Sequence, residues 1–150
     1  MEYDHTQFGY TGILTTVFMA AVTWTTLRSV SEEEESAWVG LMMLVFTISI
    51  VAITFWFSKL AVTVADGRVT TTFGLGKPHR VILLSDVVGV HQVRNSWIEG
   101  WGIRRITNGW MYNVWGLDAV KLELASGDVF QIGSDDSEGL STAITLSLPG

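Results

Sequence analysis

From Ala37 to Ser58 the chain runs without a charged side chain. As a helix rising 1.5 Å per residue this stretch would span about 33 Å, enough to cross a hydrocarbon core of about 30 Å. Trp38 near one end and Phe55, Trp56 and Phe57 at the other stand where interfacial aromatics gather, and Lys59 follows directly. The preceding stretch from Phe8 to Leu27 is also uncharged but carries six threonines. Their hydroxyls can bond back onto helix carbonyls or across to a partner helix. The connection RSVSEEEES, Arg28 to Ser36, is short enough only for a turn between antiparallel helices. Within it Ser31 and Glu34 have capping-box spacing, and the glutamates suit the positive end of the second helix dipole. The pattern therefore predicts a transmembrane helical hairpin over residues 1–58, with spans at about 8–27 and 37–58 and an acidic loop at 28–36. Met1 to Gln7 holds two acids and no Lys or Arg, which argues against a cleaved signal peptide.

After Lys59 the pattern becomes alternating. Leu60, Val62 and Val64 share one face and lead to Asp66-Gly67, a strong hairpin signal, with a return strand from Arg68 to Phe73. A Gly-Leu-Gly-Lys-Pro turn, then runs at Arg80 to Leu84 and Val87 to Val93, continue the series. Later, Val120, Leu122 and Leu124 face one way and Lys121 and Glu123 the other, before Ser126-Gly127 turns the chain into Val129 to Ile132. Ser134, Asp135 and Asp136 form a helix start, with Asp135 and Glu138 at capping-box spacing and Leu140, Ala143 and Ile144 as the apolar stripe. Residues 59–150 thus predict a meander of about seven antiparallel strands closed by a C-terminal helix.

Two stretches carry a resemblance. They are LAVTVADGRVTTTFGLGKPHRVILLSDVVGV, Leu60 to Val90, and GWGIRRITNGWMYNVWGLDAVKLELASGDVFQIGSDD, Gly100 to Asp136. In them the chain resembles the bacterial and archaeal pleckstrin-homology-like (PH-like) membrane proteins, which place paired N-terminal transmembrane helices before one PH-like domain. The resemblance implies a mainly-β PH-like barrel capped by a C-terminal helix, and it does not imply an enzyme. The loop between the first two strands of the barrel, Ala65 to Val69, offers only Arg68 where phosphoinositide-binding relatives crowd several basic residues, which argues against phosphoinositide recognition.

Composition agrees with an anchor plus a small domain: mean hydropathy is +0.35, and 48% of residues are hydrophobic against 16% charged. The net charge of −6 divides into −5 over residues 1–58, +4 over 59–105 and −5 over 106–150. The basic segment is the one that follows the second span, so any attraction to anionic lipid belongs there. Lys59, Arg68, Lys77 and Arg80 against Arg28 alone in the hairpin loop predict, by the positive-inside bias, that both termini and the β-rich domain are cytoplasmic. Overall acidity argues against nucleic-acid binding.

Four tryptophans, Trp97, Trp101, Trp110 and Trp115, cluster in one segment, interleaved with Arg104 and Arg105 and preceded by Arg94. Tryptophan favours interfaces, and arginine can meet phosphate or stack on an aromatic face. Trp97, Trp101, Arg104 and Arg105 are accordingly the candidate binding residues for lipid or protein, although the tryptophans could equally fill a small core. Without cysteine, and with His5, His79 and His91 scattered, no metal site is expected. GLGKPH, Gly74 to His79, lacks the spacing of a phosphate loop and reads as a hairpin turn. No nucleophile motif appears, so neither catalytic residues nor a cofactor is expected. The function expected is a non-enzymatic, membrane-anchored module that binds a protein partner or lipid headgroups. The alternative is an accessory or oligomer-forming subunit of a membrane complex, acting through its helices.

Overall fold

The structure is a computed structural model that describes residues 2–29, 34–96 and 102–149. In chain order it comprises β1 (Tyr3–Phe8), α1 (Thr11–Ser29), α2 (Glu34–Trp56), β2 (Lys59–Ala65), β3 (Arg68–Phe73) and β4 (His79–Leu83). A 3-10 turn (Leu84–Asp86) leads into β5 (Val87–Arg94), β6 (Gly102–Ile106), β7 (Gly109–Asn113), β8 (Asp118–Leu124), β9 (Val129–Gly133) and α3 (Ser137–Leu146).

The strands form two sheets, ordered β1-β2-β3-β4 and β5-β8-β9-β7-β6. The first is antiparallel throughout. Its central hairpin follows from local chemistry: Asp66 and Gly67 both take positive φ, 50° and 70°, which a tight two-residue turn requires. In the second sheet β7 runs parallel to β9, Gly109 pairing with Val129 and Tyr112 with Ile132. That parallel pair inserts β9 between β7 and β8.

Both the fold class and the paired spans expected from sequence are corrected here. Among the described residues there are nine strands in two sheets and no ladder joins the sheets, so no seven-stranded closed barrel is formed. The parallel β7–β9 pairing replaces a simple meander because Gly109 lets two backbones approach where any Cβ would overlap the Val129 carbonyl oxygen. Among the described residues one helix, not two, is long and apolar enough to cross a membrane, namely Trp38–Trp56 of α2, of which only 6% is buried. In α1 the apolar stretch found among the described residues is the shorter run Gly12–Thr26. Phe8, expected to open that first span, instead closes strand β1 opposite Lys59. The loop cap at Ser31 lies outside the described residues.

The core lies between the sheets. Alternation along β2 buries Leu60, Val62 and Val64, and β3 adds Val69 and Phe73; β8 and β9 contribute Val120, Leu122, Phe130 and Ile132 from the opposite side. Helix α3 buries Leu140 and Ile144 against this core. Its N-cap is Asp136, which accepts from the Gly139 amide at 3.0 Å, one residue later than the capping-box spacing suggested. Four rings run through the interior, Phe57 to Phe73 to Tyr112 to Phe130, with centroids 5.5, 5.3 and 5.0 Å apart. Since Phe57 directly follows α2, this row connects the apolar helix to the interior of the body.

The helices meet the body at one end of the first sheet. Strand β1 leads into α1, α2 leads into β2, and β1 pairs with β2, so the start of α1 and the end of α2 are held side by side. The Gly9 amide donates to the Ser58 carbonyl at 2.6 Å across the two connections. Farther along, Thr23 and Thr47 hydroxyls bond at 2.7 Å, so α1 lies against α2.

A candidate anion-binding groove

Strand β4 leaves the turn after Pro78, and its second residue, Arg80, extends across the core edge with its guanidinium 5.0 Å from the ring centroid of fully buried Phe130. Stacking of this kind fixes the side chain while leaving its hydrogen-bond donors free to turn outward. Across a groove of about 570 Å³ stands Arg105 on β6, paired in register with the half-exposed Trp110 of β7. Asn108 and Gly109 from the β6–β7 turn and Ser126, Gly127, Asp128 and Val129 from the β8–β9 turn complete the wall.

Local sequence explains why the two turns adjoin. Asn108 takes φ 61°, and its carbonyl accepts from the Val129 amide at 2.7 Å. The Ser126 hydroxyl donates to Asp128 Oδ2 at 3.1 Å and holds that carboxylate at the rim. The lining is mainly polar. Among the described residues neither Arg80 nor Arg105 makes an ion pair, whereas Arg94 meets Asp118 at 3.8 Å and Lys121 meets Glu123 at 2.8 Å. Hydrogen bonding from Lys121, followed by its charge, holds the Glu123 carboxyl below the usual range. Two arginines on one groove suit a phosphate or carboxylate, and Asp128 and Asn108 can accept from hydroxyl or ammonium groups on the same ligand.

Of the residues singled out from sequence, Arg105 lines this groove, and Arg104 precedes it, exposed on β6. Trp97 and Trp101 lie outside the described residues. Trp110 is at the groove, and Trp115 packs edge-on against Tyr10 at the start of α1, with centroids 5.6 Å apart. Arg80 was legible in sequence only as a positive charge on a strand. Its role as a groove wall depends on a contact with Phe130, in the other sheet, which no local pattern reports.

A second polar cluster ties the N-terminus to α3. The Tyr3 hydroxyl donates to Asp136 Oδ2 at 3.0 Å, and His5 Nε2 lies 2.6 Å from Asp135 Oδ1. Burial, then the bond to Asp136 and its charge, pushes the Tyr3 phenol well above its ordinary range. No group of three or more metal-ligating side chains gathers among the described residues.

The fold and groove together define a small two-sheet β protein with, among the described residues, one apolar helix long enough to span a membrane and a surface groove that carries two arginines. No protein-family model matches the chain, and no curated protein matches it significantly.

Proposed function

We propose that this protein is a non-enzymatic, membrane-anchored binding module whose Arg80–Arg105 groove receives the anionic headgroup of a phospholipid. The carrying observation is the pair of arginines on one polar groove, neither of them ion-paired among the described residues. Proximity to the anchor supports a lipid source. The indole Nε1 of Trp56, the last residue of α2, donates to the Lys77 carbonyl at 2.6 Å. Arg80 follows three residues later, a chain length of about 10 Å. Lys59, Lys77 and Arg80 cluster at this end of the first sheet, and the positive-inside bias favours the cytoplasmic face for the body. Anchoring raises the local concentration of headgroups, so a shallow groove of modest intrinsic affinity suffices.

The test uses the full chain extracted in mild detergent from membranes containing both zwitterionic and anionic phospholipid, with retained lipids identified by native mass spectrometry. Retention of anionic lipid by the parent, reduced in R105Q and lost in R80Q/R105Q, is expected. Arg105 is exposed, so its single substitution leaves folding intact. Equal retention in all three proteins would eliminate the groove as a headgroup site.

A further inference from the structure

The turn between β3 and β4, Gly74 to Pro78, leaves Leu75 84% exposed, more than any other large hydrophobic side chain described. Gly74 and Gly76 flank it at φ 52° and 111°, conformations that favour glycine and that lift the leucine off the sheet. The turn is well held at its base: Phe73 donates to the Pro78 carbonyl at 2.9 Å, and the Gly76 amide to the Phe73 carbonyl at 3.0 Å. An exposed leucine at the tip of an ordered turn is a preformed apolar projection, unlike one on a disordered tail.

Its position relative to α2 identifies the occupant. Trp56 Nε1 bonds Lys77, and a Cβ on Gly74 would overlap the Trp56 carbonyl oxygen, so the turn backbone rests directly on the end of the helix. Phe55, 75% exposed, and Trp56 form the last exposed apolar surface of α2 there, continuous with the membrane-length face of the helix. Phe8 and Tyr10, both exposed, lie where β1 passes into α1 at the same end. Lys59 reaches over the Phe8 ring, with its ammonium 5.9 Å from the centroid, and Lys77 is exposed on the turn itself. An apolar tip, an aromatic collar and flanking lysines gathered at one end of the sheet are the chemistry of a bilayer interface.

We infer that the β3–β4 turn is a second membrane contact, with Leu75 inserted at the boundary between headgroups and acyl chains beside the end of α2. This rests on the reading that α2 lies in the bilayer. The turn then fixes the tilt of the body, and with it the aim of the groove, because α2 alone would leave the body free to rotate about the helix axis.

The chain has no cysteine, so single nitroxide labels can be placed without background. The full chain carries L75C, I48C in α2 or D86C just past the far end of β4, each reconstituted into vesicles of phosphatidylcholine and phosphatidylglycerol. Accessibility of each label to oxygen and to a water-soluble nickel complex is then compared. The expected order of oxygen preference is 48 above 75, with 75 well above 86. A label at 75 as open to nickel as the label at 86, while 48 is shielded, would overturn the turn contact alone. Nickel access at 48 as well would remove the anchor reading and the inference with it. The label at 86 guards against insertion driven by the nitroxide itself.

Discussion

At the scale of single residues, Tyr3 carries an unusual responsibility. Its hydroxyl donates to Asp136, the side chain that caps α3, so one phenol connects the first strand to the last helix. Burial beside two carboxylates disfavours the phenolate, and the folded-state pKa lies above the ordinary value near 10. A raised acid contributes stability that is fully present below the unfolded value and is lost as pH rises towards the folded one. The protein should therefore lose stability above about pH 10 through this group. In a spectrophotometric titration Tyr3 should ionise above the ordinary phenol range, and Y3F should remove that late step and flatten the alkaline loss of stability. Loss in Y3F of a step in the ordinary phenol range instead would show that the Tyr3–Asp136 bond does not hold the phenol neutral.

At the scale of elements, the parallel β7–β9 pair distinguishes this body from a meander, and it depends on Gly109. A Cβ there would fall far inside van der Waals contact with the Val129 carbonyl oxygen, and that oxygen belongs to backbone, which cannot turn aside as a side chain would. Gly109→Ala should cost about 2–3 kcal/mol, the upper part of the overpacking range, and lower the thermal midpoint by about 10 °C. The groove should suffer as well, since Gly109, Asn108 and Val129 all line it. A midpoint within error of the parent would mean that the two strands do not approach so closely. Several elements were legible because their signals are local. The Asp-Gly turn set the β2–β3 hairpin, alternation marked β8 and β9, and the apolar stripe through Leu140 and Ile144 marked α3. Strand β1 was not legible, because YDHTQF is polar and becomes a strand only by pairing with β2, beyond both long helices. The same pairing removes Phe8 from the helix that uncharged residues alone suggested. The β7–β9 pairing, and the groove it builds, likewise arise from contacts between distant segments. Arg105 could be picked out by residue type, but Arg80, Asn108 and Asp128 could be joined to it only in three dimensions.

At the scale of the whole molecule, the connection between α2 and the body decides whether the groove has a fixed aim. The joint is short and multiply bonded. Only Phe57 and Ser58 separate α2 from β2, and Gly9 bonds Ser58 across to the start of α1. Trp56 bonds the β3–β4 turn, and Phe57 packs its ring on Phe73 in the core. Bending at Phe57 and Ser58 would have to break several of these contacts together, so helix and body should move as one unit. Spin labels at I48C and D86C in the reconstituted full chain should give a single narrow distance distribution by pulsed electron resonance. Replacing Trp56 with Phe keeps an aromatic ring at the interface but removes the Nε1 donor to Lys77, and it should broaden that distribution without unfolding the body. If the parent distribution is already broad, the joint is a hinge, and orientation of the groove must come from the bilayer contacts instead. A narrow distribution in both proteins would assign the rigidity to the Phe57–Phe73 contact and the β1–β2 ladder.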